Sequence, residues 1–231
     1  GDAGNDFLSG DALLAGNENL YGGDGNDTIY GYANFDELFG GDGDDLIDGG
    51  AQRDTIEGGA GADTLDGGDG VFDVLSYQNS TAGVFVNLSL SIASGGDADG
   101  DVISNFEGVV GSAYGDSLIG GDGNDYFNAG AGDDTLRGGA GADTLLGYAG
   151  FDWVSYADSD AGVSVDLRSN TVSGGHAEGD SLSQIENVIG SEFDDLLIAS
   201  SHRGGDLRGG QGDDTLMGGT YSPLGGQGFD T

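Results

Sequence analysis

Cysteine and lysine are absent, proline occurs once, histidine twice and arginine five times in the 231 residues. Without cysteine there is no disulfide staple and no zinc–thiolate site. So few basic side chains remove the electrostatic basis for binding nucleic acid or an anionic membrane surface. No apolar run approaches the roughly 20 residues of a transmembrane helix, and neither end reads as a signal peptide. Against these absences stand 51 glycines and 42 acidic residues, with a formal net charge of -37. Self-repulsion on that scale opposes a compact state unless counter-ions bind. Such a composition would suit a disordered chain, except that its apolar residues recur on a strict period.

That period is nine. Gly22-Gly23-Asp24-Gly25-Asn26-Asp27-Thr28-Ile29-Tyr30 returns from residues 31, 40, 49 and 58, then from 111, 120, 129, 138 and 147, then from 190 and 209. Weaker copies begin at 1, 13, 68, 102, 181 and 200, which makes eighteen frames. The eighth position is apolar in every frame, from Leu8 to Leu216. The sixth is Asp at 6, 27, 36, 45, 54, 63, 73, 116, 125, 134, 143, 152, 195 and 214, and Glu at 18, 107 and 186. Residues seven to nine therefore read as a three-residue strand with one inward side chain. The first six are turn, where glycine permits left-handed conformations. Two frames close a coil, and stacked coils align position eight in two facing ladders. The predicted fold is all-β: a right-handed parallel β-roll, a solenoid of nonapeptide turns.

One aliphatic side chain per nine residues is a thin core, and stacking sets the aspartates of turns two frames apart against each other. A hard divalent cation held by carboxylates and backbone carbonyls removes that conflict. Ca²⁺ fits, because it takes 6–8 oxygen ligands in flexible geometry. Zn²⁺ and Cu²⁺ call for histidine or cysteine, and the chain offers only His176 and His202.

The nonapeptide resembles the RTX, or haemolysin-type, calcium-binding repeat. The resemblance implies calcium between turns two frames apart, held by the carbonyls of positions two and four of one turn, of positions one and three of the other, and by both aspartates. Carried onto this chain, one site uses Gly23, Gly25 and Asp27 with Gly40, Asp42 and Asp45. Uninterrupted aspartate pairs number eight: 27/45, 36/54, 45/63, 54/73, 116/134, 125/143, 134/152 and 195/214. At least about eight Ca²⁺ are therefore expected. The implied ligand set extends to Asp6, Asp36, Gly41, Gly43, Gly49, Asp54, Gly58, Ala60, Asp63, Asp73, Asp116, Gly121, Gly123, Asp125, Gly130, Gly132, Asp134, Gly138, Ala140, Asp143, Asp152, Asp195, Gly209, Gln211 and Asp214. Position four departs to Asn34, Gln52 and Val71; Gln and Val tolerate left-handed φ poorly, so those turns are expected to be distorted.

A longer period of 79 residues overlies the first. Asp73-Val74-Leu75-Ser76-Tyr77 matches Asp152-Trp153-Val154-Ser155-Tyr156, and Gly83-Val84-Phe85-Val86-Asn87-Leu88 matches Gly162-Val163-Ser164-Val165-Asp166-Leu167. Each copy interrupts the nonapeptides, at 77–101 and 156–180, and its alternating Val-Xaa-Val predicts one longer strand with an outer loop. A third break, near 218–224, contains Pro223. The expected segments are a first block at 1–76, modules at 77–155 and 156–217, and a truncated repeat at 218–231. The chain starts on one repeat and stops inside another, so it is read as a piece of a longer protein. Asp97-Ala98-Asp99-Gly100-Asp101 fails as an EF-hand loop, with Val102 where glycine is required and Gly108 where glutamate is; a solvated loop is expected there.

No phosphate-binding loop or nucleophile motif is present, and the carboxylate pairs are explained by the repeat, so no enzyme is predicted. His176, His202 and Trp153 read as surface or capping residues. The resemblance implies a calcium-dependent folding module of a secreted bacterial protein, exported by type I secretion. The alternatives are a structural or adhesive segment of a surface layer, filament or adhesin, and an accessory module of a secreted enzyme. The expected partners are calcium ions and the secretion machinery in transit, with self-association or a cell-surface polysaccharide as further candidates. Nucleic acid and membrane insertion are not expected.

Overall fold

The computed structural model describes residues 1–10, 16–200, 205–218 and 224–227. Chain contacts divide it into two compact units, Gly1–Ser117 and Leu118–Thr231. Among the described residues the regular structure is strand, apart from two single 3-10 turns at Gly96–Ala98 and Gly175–Ala177. His202, Pro223 and the truncated repeat after Gln227 lie outside the described residues.

In the first unit successive strands alternate between two parallel stacks. One holds Phe7–Ser9, Thr28–Tyr30, Leu46–Asp48, Thr64–Asp66 and Val102–Ser104. The other holds Asn19–Asp24, Glu37–Asp42, Thr55–Ala60, Val74–Ser76 and Gly108–Val110. Position eight sets the register: Ile29 faces Ile47, which faces Leu65, while Leu38 faces Ile56, which faces Leu75. These side chains are fully buried, with their strand neighbours mostly turned outward. Two nonapeptides do close one coil, and the thin apolar ladder is dry.

The glycines serve two purposes. Gly41, at position two, has φ 119°, a conformation that a side chain would strain. Gly40, at position one, is not in that region. A Cβ there would lie 2.1 Å from Asp45 Oδ2 and 2.4 Å from the Gly58 carbonyl oxygen of the next coil. Position one is therefore glycine for want of room, not for conformational freedom.

The suspect turns resolve in two ways. Asn34 and Gln52 accept left-handed φ of 90° and 84°. Val71 does not occupy position four at all. Gly70 does, since its Cβ would meet the Gln52 carbonyl at 2.4 Å, as that of Gly43 would meet Gly25. Val71 is one residue too many, extruded to 83 % exposure. The spacing from Asp54 to Asp73 grows to 19 while their hydrogen bond is kept.

The inserts differ from expectation. In place of one longer strand, each makes a short antiparallel hairpin, Phe85–Asn87 with Ile92–Ser94 and Ser164–Asp166 with Thr171–Ser173. A 3-10 turn follows, and the chain then rejoins its old stack: Val102–Ser104 pairs with Thr64–Asp66, and Ser181–Ser183 with Thr144–Leu146. The frames placed at 102 and 181 keep Val109 and Val188 buried at position eight but differ ahead of it. Their first three residues are strand, Ile103 and Leu182 are the buried side chains, and the turn shrinks to residues 105–107 and 184–186.

In the second unit Thr135–Arg137, Trp153–Ser155, Asn187–Ile189 and Leu207–Gln211 form one parallel stack, continued by Leu224–Gln227. Tyr126–Asn128, Thr144–Leu146 and Ser181–Ser183 form another. The insert strand Ser164–Asp166 opens a new stack, pairing in parallel with Leu196–Ile198, which in turn pairs with Thr215–Met217. Its antiparallel hairpin partner covers the open edge.

Leu38→Ala should cost about 2–5 kcal/mol, the range for emptying a dry core site. Val71→Ser should stay within about 0.5 kcal/mol of the parent. Denaturant unfolding at saturating calcium measures both; equal costs would contradict the placement of Val71.

Candidate metal centre

Position six places its aspartates on the inner side of each turn, where Asp27, Asp36, Asp45, Asp54, Asp63 and Asp73 are buried in the first unit, and Asp125, Asp134, Asp143, Asp152, Asp195 and Asp214 in the second. In most of them one carboxylate oxygen accepts the backbone N–H of the acidic residue one coil earlier. The distance is 2.7 Å for Asp27 to Asp45, 2.8 Å for Asp36 to Asp54 and Asp45 to Asp63, and 2.7 Å for Asp54 to Asp73. The second unit repeats this from Asp125 to Asp143 at 2.9 Å, Asp134 to Asp152 at 3.0 Å and Asp195 to Asp214 at 3.0 Å. Asp6 and Glu18 join by donating to Asp27 and Asp36.

The other oxygen is the notable one. Oδ2 of Asp27, Asp36, Asp45, Asp54, Asp63, Asp73, Asp143 and Asp152 is buried and has no hydrogen-bond donor. Burial, reinforced by the carboxylate of an adjacent coil, pushes the pKa of Asp54, Asp63 and Asp143 up to about 7, and that of Asp45, Asp73 and Asp152 up to about 6. The backbone hydrogen bond to Oδ1 opposes the rise without cancelling it. A buried anion with an open lone pair is costly, and a cation is the group that relieves it.

At Asp27, Asp36, Asp45 and Asp54 the space beside that oxygen is bounded by the position-one glycine of its own turn and the position-one carbonyl of the next coil, as at Gly40 and Gly58 beside Asp45. Gly49 is crowded in the same way by Asp54, and Gly138 by Asp143. The other turn residues singled out from the sequence are tied to one another. Gly25 donates to the Asp42 carbonyl at 2.6 Å, Gly43 to Ala60 at 2.7 Å and Gly132 to Ala149 at 2.8 Å, while Gly121 accepts from Ala140 at 3.0 Å. Gly23 pairs with Gly41 in the extended ladder, Gly130 is left-handed, and Gly209 and Gln211 sit in the strand Leu207–Gln211. Gly123 has an open surface. Among the described residues no three carboxylate or imidazole groups cluster, so any bound metal draws on paired carboxylates and backbone carbonyls.

Four turns differ. Asp6, Asp116, Asp125 and Asp195 receive their own turn's position-two N–H on Oδ2, from Asp2 at 3.0 Å, Ser112 at 2.6 Å, Gly121 at 2.7 Å and Ser191 at 2.6 Å. None of these four donors is left-handed, whereas Gly23, Gly41, Gly59, Gly139 and Gly210 at the same position are. The sign of φ at position two thus sets whether the carboxylate is capped by its own turn.

Two members, Asp101 and Asp180, were not visible in the period, and two that were, Glu107 and Glu186, join in an altered way. Asp101, assigned to a solvated loop, is buried and accepts the Asp63 N–H at 2.9 Å. Asp180 does the same for Asp143. Glu107 and Glu186 span shortened turns with their extra methylene to reach the N–H groups of Asp73 and Asp152. A second ladder of opposite polarity runs outside, where Asn26 accepts from Asp44, Asp44 from Ala62 and Asn124 from Ala142 at position five. The signal for it was Asn or Asp at position five of the acceptor-side turns. Trp153 is half-buried under Arg208, whose guanidinium lies 4.3 Å from the ring centroid, and His176 is half-buried rather than a free surface residue.

The raised carboxylates fix a pH dependence. In the metal-free chain they bind protons when folded that they release when unfolded, where the ordinary value is 3.8. Their contribution is therefore full below about pH 4 and is lost as pH rises through 6 to 7. The calcium-free chain should hold more β structure at pH 5 than at pH 8, read by circular dichroism after exhaustive removal of calcium; the reverse order would contradict the buried carboxylates.

A family model of four copies of the RTX calcium-binding nonapeptide repeat matches residues 14–47, 39–71, 109–136, 119–154 and 206–221. No curated protein matches the chain.

Proposed function

The chain belongs to the RTX calcium-binding nonapeptide repeat family, and on that premise we propose that it is a module whose folding is driven by calcium, part of a secreted bacterial protein that leaves the cell unfolded by type I secretion. The observation that carries this reading is the run of buried aspartate Oδ2 atoms without a donor, repeated coil after coil in a chain of net charge -37. Each calls for a cation, and the neighbouring atoms are oxygens of the kind Ca²⁺ accepts. The ligands at one site are the carbonyls of Gly23 and Gly25 with Asp27, and those of Gly40 and Asp42 with Asp45. The Asp42 carbonyl already accepts the Gly25 N–H, but a carbonyl oxygen has two lone pairs and serves both.

Ordering so many glycines costs conformational entropy that a thin core does not offset. Calcium binds the folded turns and finds little to hold in the unfolded chain, so binding energy becomes folding energy. Inside a cell calcium is too scarce for this; outside, it is not. Such a chain crosses a narrow exporter extended and folds on arrival.

Circular dichroism should show disorder in EDTA, a β-rich fold in millimolar CaCl₂, and no rescue by NaCl at matched ionic strength, since salt screens charge without coordinating it. A β-rich spectrum in EDTA at neutral pH would make calcium incidental. Asp45 serves both the 27/45 and the 45/63 pairs, so Asp45→Ala should lose two ions by calorimetric stoichiometry. An unchanged count would refute sharing along the ladder.

A further inference from the structure

Most interior turns of the ladder, though not that of Asp125, leave an aspartate oxygen without a protein donor, and the carboxylates on either side of each insert are met by donors. Asp101 Oδ2 accepts the buried Tyr77 hydroxyl at 2.8 Å, and Asp180 Oδ2 accepts that of Tyr156 at 2.8 Å. Beyond the insert, Asp116 accepts the Ser112 N–H at 2.6 Å, the Ser112 hydroxyl at 2.9 Å and the Val84 N–H at 2.7 Å. Asp195 repeats this with Ser191 at 2.6 and 2.8 Å and Val163 at 2.7 Å. The two inserts, 79 residues apart, carry the same arrangement atom for atom.

We infer that each insert is a calcium-free joint, in which Tyr77 or Tyr156 on one side and Ser112 or Ser191 on the other supply to the ladder carboxylate what an ion supplies elsewhere. This rests on the calcium reading above. By register alone the 63/101 and 143/180 steps are further ion sites, because the Asp63 and Asp143 N–H groups reach Asp101 and Asp180 as in any other coil. A single carbonyl can serve a donor and an ion at once, but most interior turns keep one carboxylate oxygen wholly clear of donors, whereas both oxygens of Asp101 and of Asp180 accept one. Burial and the adjacent carboxylate push the pKa of both tyrosines upward, so each hydroxyl stays protonated and remains a donor. At Ser112 and Ser191 the backbone is not left-handed, which aims the N–H at the carboxylate. Each joint thus ends one line of ions, and the blocks it separates load independently.

Native mass spectrometry of the full chain at saturating calcium tests this. The double variant Asp101→Asn/Asp180→Asn should keep the parent's ion count, while Asp45→Asn should lose ions. Loss of one or two ions in the double variant overturns the joint and leaves the calcium ladder standing. No loss in Asp45→Asn overturns the ladder itself, and the joint with it. If the double variant does not fold, Tyr77→Phe/Tyr156→Phe decides. Its ion count should match the parent, and its folding equilibrium constant at fixed calcium should fall about tenfold per tyrosine, the effect of losing a hydrogen bond to a buried charge. A lower ion count, or no change in folding, overturns the inference.

Discussion

A carboxylate held by the backbone through one oxygen and left without a donor at the other is the interaction on which everything else depends. The N–H that binds Oδ1 comes from the acidic residue one coil away, so the bond that fixes the side chain also fixes the stacking distance and register. The same bond brings the charges of successive coils together, and the Asp27 carboxylate adds to the upward push that burial gives Asp45. Order along the stack and electrostatic strain along the stack are therefore one feature. Hydrophobic contact supplies a single buried side chain per turn, which fixes register but does little against the repulsion of the acidic column.

The glycines follow from that carboxylate more than from any general need for turning. Position one is empty of a side chain because Oδ2 and the next coil's carbonyl occupy the space. Position two is left-handed where the carboxylate is uncapped and ordinary where the turn caps itself. The Val71 turn makes the same point from the opposite direction. An extra residue is pushed into solvent so that Asp73 still reaches Asp54. The chain gives up the regular frame and keeps the carboxylate.

The columns at positions six and eight were legible in the sequence because a strict period exposes them, and with them the two-stack roll, the coil length and the paired aspartates. The family resemblance added the ligand pattern expected for the calcium. Asp101, Asp180, Ile103 and Leu182 were hidden because the chain leaves the period for a hairpin and re-enters it with a strand where the frame laid from Val102 has a turn, although Glu107 and Val109 still fall on positions six and eight. The hairpin was mistaken for one strand because alternation shows a strand face but not the reversal after it. Self-capped and uncapped turns share an aspartate at position six, and backbone φ separates them. The position-five ladder was missed because only one partner of each pair needs a polar side chain.

The outer ladder of position five runs against the inner one of position six. Inside, a coil donates its N–H to the side chain of the coil that follows; outside, the side chain of a coil accepts from the N–H of the coil that follows. Adjacent coils are thus laced in both senses, and neither can slide along its strands without breaking bonds of both kinds. What joins each coil to the next is local all the same. A pulling force applied to the chain would meet resistance one coil at a time, each release exposing only the next pair of ladders, so the stack should behave as a ratchet of small, similar steps rather than as a body that fails at once.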